Sequence, residues 1–197
     1  MKKAVLFIVM LVAVLAVTAC KKDQTSSYTG VLATVHAIKN GTVDYSMDLD
    51  DDGEQDIRFE VGYYIAGNTE KSRYIKVVGL NNAEIASIEK EDPTYYNCQD
   101  TSQFYVKINA LAGGDIISND LEFTDNTVLI TYRIASSQEC ADPILLTDLT
   151  CKTFYIGVKL KSPFNYAWVK VRADEMSKLL IYDFGYAHGM NQLIVGQ

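Results

Sequence analysis

Short stretches of alternating apolar and polar residues, separated by turn residues, restrict the fold of this 197-residue chain more than any other feature. Alternation with a period of two puts successive side chains on opposite faces of a β-strand. The sequence therefore predicts a series of strands and no long helix. These strands are 31–38, 42–49, 57–65, 73–78, 83–88, 104–110, 128–134, 154–160, 166–171, 179–186 and 192–195.

The turns between these segments recur about every ten residues, a spacing typical of sandwiches and barrels. Asn40-Gly41 is the strongest hairpin signal among them and predicts that the strands on either side of it pair. The abundance of valine, isoleucine and tyrosine, with only three prolines, favours antiparallel sheet. We predict one all-β domain over 28–197, an antiparallel β-sandwich with a barrel as the alternative.

An acidic segment between two predicted strands carries the clearest chemistry. Residues 48–56 read DLDDDGEQD and fit the pattern D-x-D-x-D-G-x-x-D. Alternate acids in a tight loop converge on one side, and Gly53 permits the sharp bend. Oxygen ligands of this kind and number suit Ca²⁺. The predicted ligands are Asp48, Asp50, Asp52, the backbone carbonyl of Glu54, and Asp56.

The loop departs from an EF-hand at its twelfth position, where Phe59 replaces the bidentate glutamate. Glu60 follows, but in a strand it faces away from Phe59. We therefore expect a calcium loop within a β-hairpin, with an affinity of about 10⁻⁴–10⁻³ M and a structural role. The alternative interpretation is a solvated acidic turn without an ion.

The N-terminus has the organisation of an export signal. Lys2 and Lys3 precede an apolar run over 4–17, which is shorter than the ~20 residues of a spanning helix. Val17-Thr18-Ala19-Cys20 resembles the bacterial lipobox, in which the cysteine becomes the lipid-bearing N-terminus. The resemblance implies cleavage of residues 1–19, an acyl-lipid anchor on Cys20 and a tether over 20–27.

Cleavage would remove Lys2 and Lys3 and no acid, which changes the formal net charge from −7 to −9. Such a deficit of positive charge argues against a nucleic-acid partner. No acid follows Cys20 directly. By resemblance to lipoprotein sorting signals, this favours the outer membrane, with the leaflet left open.

Three cysteines would remain beside the lipidated one. The compartment beyond the inner membrane is oxidising, so one disulfide is expected. The short separation of Cys140 and Cys151 makes this pair the first choice, with Cys98 left over and the other pairings still open.

Three stretches together resemble a group of secreted and lipid-anchored proteins common in Bacteroidota. They are DLDDDGEQDIRFE at 48–60, LAGGDII at 111–117, and 155–196 with its segments YIGVKL, NYAWVKV, LLIYDFGY and NQLIVG. Ala167 stands where that group usually has glycine. The resemblance implies a β-rich module outside the cytoplasm and implies no activity.

Catalytic motifs are absent from the sequence: it contains no G-x-S-x-G, H-E-x-x-H or P-loop pattern. The preferred hypothesis is a non-enzymatic, calcium-stabilised structural or interaction module that meets an envelope partner. One alternative is a surface glycan-binding module, with Tyr96 and Trp168 as the stacking platform, although Trp168 equally fits a core anchor. A further alternative is an envelope polysaccharide hydrolase, since paired acids are plentiful.

Overall fold

The fold is built from β-strands joined by turns. A computed structural model describes residues 30–66, 69–90, 105–125, 127–134, 144–145, 149, 152–161, 165–174 and 177–197. In that part of the chain no helix is long and apolar enough to cross a bilayer. The strands are β1 (Ala33–His36), β2 (Gly41–Met47), β3 (Ile57–Ala66), β4 (Thr69–Gly79), β5 (Glu84–Lys90), β6 (Tyr105–Ile108), β7 (Ala110–Leu111), β8 (Ile116–Ser118), β9 (Phe123–Thr124), β10 (Val128–Ile134), β11 (Ile144–Leu145), β12 (Thr153–Lys159), β13 (Tyr166–Asp174), β14 (Lys178–Ala187) and β15 (Gln192–Ile194).

One large sheet contains all but two of these strands. Its hydrogen-bonded order is β1-β14-β13-β12-β5-β6-β10-β4-β3-β2, and the short strands β7, β9 and β11 attach to β12, β5 and β10. The sheet curls until it is nearly closed into a barrel, and β8 and β15 form a smaller sheet beside it. The predicted all-β class is confirmed. Of the two predicted architectures, sandwich and barrel, the barrel describes this nearly closed sheet better. Pairing is antiparallel between the named strands except for one parallel contact between β6 and β10.

The Asn40-Gly41 turn joins strands that do not pair as a hairpin. β1 pairs with β14, whereas β2 pairs with β3. The two strands are thus the opposite ends of the large sheet, and the predicted pairing across this turn is wrong. The turn itself forms: Asn40 has a φ of 56°, and its side-chain oxygen accepts a hydrogen bond of 2.6 Å from the backbone N–H of Ile65. The turn therefore docks onto β3.

The main core lies inside the curled sheet and follows the predicted alternation. On β3, Ile57, Phe59 and Val61 have no exposed surface, and Ile75 and Val77 on β4 have none either. Phe59 pairs in register with Val77. Complete burial of such side chains contributes about 1.5–3 kcal/mol each to the stability of the fold. Apolar packing inside the sheet therefore stabilises β3 and β4.

A second, smaller core covers the first part of the outer face of β13. Ala167 and Val169 belong to the main core, whereas Tyr166 and Trp168 point to the other face. There they pack with side chains of β8 and of the β15 segment, which are Ile117, Leu193 and Val195. Both faces of β13 are therefore buried over 166–169, where the small sheet covers it, whereas Lys170 and Arg172 farther along the outer face are half-buried.

Candidate metal centre

The acidic loop over 48–56 connects β2 to β3. Met47 pairs with Ile57 at the end of the ladder, and the N–H of Asp56 donates to the carbonyl of Met47 at 2.8 Å. The predicted setting of the acidic motif within a β-hairpin is confirmed. Inside the loop Asp51 and Gly53 have φ angles of 61° and 91°, so the chain turns sharply where the sequence places its glycine.

Carboxylates organise the backbone of this loop. Asp48 accepts hydrogen bonds of 2.8 Å from the N–H of Asp51 on Oδ1 and from the N–H of Gly53 on Oδ2. Asp52 Oδ1 accepts the N–H of Glu54, also at 2.8 Å. These bonds satisfy donors that an irregular loop would otherwise leave to solvent, so the acids hold the loop in its conformation.

Asp56 anchors the base of the loop. Its carboxylate Oδ2 accepts the N–H of Leu49 at 2.7 Å, and the residue is only 6% exposed. Its backbone carbonyl accepts the N–H of Leu80 at 2.7 Å, which ties the loop to the turn between β4 and β5. Asn81 in that turn donates its side-chain N–H to the carbonyl of Gln55 at 2.9 Å. The sequence marks 79–82 as a turn, but nothing local reveals that it braces the acidic loop.

Three of the predicted ligands converge. Asp48, Asp50 and Asp56 each bring one carboxylate oxygen to within 4.8 Å of the other two. Oxygens bound to one Ca²⁺ at 2.3–2.6 Å can lie at most about 5 Å apart. The three carboxylates therefore have a spacing that a single calcium ion can bridge.

The electrostatics of the cluster fit a cation. Asp50 Oδ1 is buried and has no hydrogen-bond donor. Burial, followed by the charge of Asp52, raises the pKa of Asp50. Burial also raises the pKa of Asp56, although the hydrogen bond from Leu49 opposes that shift. A buried carboxylate oxygen without a donor is costly, and a divalent ion would supply the interaction that Oδ1 lacks.

The side chains of Asp52 and Glu54 are not part of this cluster. Asp52 is exposed, and one of its oxygens is used by the N–H of Glu54. The side chain of Glu54 lies 3.8 Å from Lys161 in an exposed ion pair; only its carbonyl was expected to bind. At the twelfth position Phe59 is fully buried, and Glu60 pairs with Arg58 and Lys76. Glu60 thus lies on the face of β3 opposite to Phe59, as the alternation of a strand predicts.

The remaining predicted site residues are buried or lie outside the described residues. Trp168 is 3% exposed and packs edge-on against Tyr155 with ring centroids 5.4 Å apart, so its indole presents no open stacking face. Trp168 is therefore a core residue, the second of the two interpretations given above. Tyr96, Cys20, Cys98, Cys140 and Cys151 lie outside the described residues, so the platform tyrosine, the lipid anchor and the disulfide stay predictions.

Comparison with known proteins identifies no relative of this chain. No protein-family model matches the chain, and searches of curated proteins and of solved structures found no match either.

Proposed function

We propose that this protein is a lipid-anchored, non-enzymatic module of the bacterial outer membrane, with a structural or interaction role, whose acidic loop binds a stabilising Ca²⁺. One observation carries the calcium part of the proposal. Asp48, Asp50 and Asp56 meet within the span of one ion, and the buried Oδ1 of Asp50 has no donor.

The position of the loop explains why an ion there would stabilise the whole fold. The loop closes the β2–β3 hairpin, and through Asp56 it contacts the turn between β4 and β5. An ion would replace repulsion among the three carboxylates with attraction to a shared centre. Because the unfolded chain would bind the ion far less well, binding would raise the free energy of unfolding.

Thermal unfolding with and without the ion tests this proposal. At ten times its dissociation constant, calcium would contribute about 1.4 kcal/mol, which raises the melting temperature by roughly 3–6 °C. We expect EDTA to remove this increase and added Ca²⁺ to restore it. Identical melting curves in EDTA and in calcium would refute the proposal.

A matched pair of variants assigns the response to the cluster. Asp50→Asn removes one ligand charge, and we expect it to abolish the calcium-dependent increase in melting temperature. Asp51→Asn removes the same charge from an exposed neighbour outside the cluster. Its φ of 61° suits asparagine as well as aspartate, so this control should keep the response.

The lipid anchor is supported by the sequence around Cys20. A basic start, a short apolar run and a cysteine after small residues are the features of a lipoprotein signal. We expect Cys20→Ser to move the protein from the membrane fraction to the soluble fraction of the cell envelope, because the acyl chains supply the attachment. Unchanged fractionation would refute the anchor and leave the calcium proposal intact.

A further inference from the structure

A groove borders the acidic loop, and two residues of the loop line it. The groove has a volume of about 1030 Å³ and lies between the loop and residues 186–197. Asp50 and Asp52 line it, together with Tyr186, Asn191 and Gln192. Tyr186 is 48% exposed, so the lining combines an exposed aromatic residue and two side-chain amides with the acids.

Asp50 belongs to both the cluster and the groove. Ca²⁺ takes six to eight oxygen ligands. With one oxygen each, the three clustered carboxylates supply fewer than this, even when the carbonyl of Glu54 is added. Positions on the ion would therefore be left for oxygens from outside the chain, on the side where Asp50 lines the groove.

The negative charge of the groove determines which kind of external oxygen ligand the ion can accept. The three clustered carboxylates outweigh the two positive charges of one calcium ion, and Asp52 adds another negative charge beside them. A phosphate, sulfate or carboxylate ligand would meet repulsion there. Neutral hydroxyl oxygens would not, and two adjacent hydroxyls can bind one ion together.

We propose that this groove binds a neutral carbohydrate, with adjacent hydroxyls of one sugar completing the coordination of the loop's ion and Tyr186 stacking against the ring. The inference rests on the proposed calcium site. Asn191 and Gln192 can both donate and accept hydrogen bonds, as sugar hydroxyls require. Tyr64 is also exposed, but it stacks on the half-buried Tyr74, and the hydroxyls of both tyrosines bond to Thr42 Oγ1 at 3.0 and 2.8 Å.

Titration calorimetry with defined sugars tests the inference on the full mature chain. The probes are mannohexaose, with adjacent cis hydroxyls, and cellohexaose, with trans hydroxyls, each in CaCl₂ and in EDTA. We expect at least one to bind in calcium and neither to bind in EDTA. Tyr186→Ala should weaken binding about tenfold, the equivalent of one stacking contact of about 1.4 kcal/mol.

Two controls separate this inference from the calcium proposal. Tyr45→Ala removes a tyrosine that is 37% exposed and lies outside the groove, and it should leave sugar binding unchanged. Tyr186→Ala should keep the calcium-dependent melting shift. The inference is overturned if calcium raises the melting temperature but neither hexasaccharide binds, if binding persists in EDTA, or if Tyr186→Ala binds the sugar as tightly as the wild type does. If calcium does not raise the melting temperature of the wild type, both the calcium proposal and this inference are overturned.

Discussion

Trp168 on β13 lies against Gly185, its register partner on β14. A Cβ atom at position 185 would stand 2.8 Å from the indole carbons Cε2 and Cζ2, closer than van der Waals contact allows. The indole thus occupies the space that a side chain at 185 would fill. The small core over β13 depends on this fit, because Trp168 is its largest member.

Gly185→Ala should therefore destabilise the protein. The added methyl group must displace a buried indole, and overpacking of this kind costs typically 1–3 kcal/mol. We expect a lower melting temperature and a change in the fluorescence of Trp168, the one tryptophan of the chain. Gly113→Ala is the control, since its Cβ would lie 3.8 Å from the nearest atoms of Tyr155, an ordinary contact. Equal melting temperatures for the two variants would contradict this description of the small core.

Asp50→Asn should have opposite effects on stability with and without calcium. In EDTA the wild-type chain carries a partly buried carboxylate whose folded pKa is raised above its unfolded value. The folded state then binds the proton more tightly than the unfolded state, so this group costs stability at neutral pH and costs less as the pH falls. In EDTA at pH 7 we expect the variant to melt above the wild type.

The melting difference should also change with pH in a defined direction. In EDTA it should shrink as the pH falls through the raised pKa, because the wild-type carboxyl then becomes neutral as well. In excess calcium at pH 7 the order should reverse, with the wild type melting higher. A variant that melts below the wild type in EDTA at pH 7 would contradict the electrostatic description of the cluster.

Glu60 should stabilise the outer face of β3 in a pH-dependent manner. Burial of this residue favours the neutral acid, but hydrogen bonds and charges from Lys76 and Arg58 outweigh burial and lower its pKa. The stabilisation is therefore present above the unfolded pKa of about 4.3 and is lost as the pH falls through the lower folded value. Glu60→Gln should melt below the wild type at pH 7, and the difference should disappear in acid.

Glu84→Gln is the matched control for that experiment. Glu84 pairs with Lys159 at 3.1 Å, but its side chain is 37% exposed, against 13% for Glu60. Exposed pairs contribute about 0–1 kcal/mol. We expect little change in its melting temperature at either pH. A Glu60→Gln difference that persists unchanged in acid would show that packing, not charge, is responsible.

Local sequence patterns predict most of the strands, because the alternation of apolar and polar residues follows from which side chains of a strand are buried. Ile57, Phe59 and Val61 point inward where the sequence has them in phase, and the acidic hairpin falls where the turn residues cluster. The short strands β8, β9 and β11 were not predicted as strands. Two or three residues are too few to establish a period, and their pairing depends on distant partners such as β15 and β5.

Strand order is the part of the fold that the sequence could not provide. Asn40-Gly41 has the local chemistry of a hairpin, yet β1 pairs with β14, far along the chain. The turn residues determine the local backbone conformation, whereas the choice of partner depends on which strands close the core together. The same distinction applies to the metal cluster. The spacing of the acids predicted Asp48, Asp50 and Asp56 as ligands. The hydrogen bond from the N–H of Glu54 to the carboxylate of Asp52 depends on the backbone conformation of the loop, which the spacing does not reveal.

Direct measurement of calcium binding tests the central claim most sharply. Equilibrium dialysis of the mature chain with ⁴⁵Ca²⁺ should find a saturable site with an affinity of about 10⁻⁴–10⁻³ M. Binding at this site should be lost in Asp50→Asn and kept in Asp51→Asn. The absence of saturable binding in the wild type, or undiminished binding in Asp50→Asn, would contradict a calcium site built from Asp48, Asp50 and Asp56.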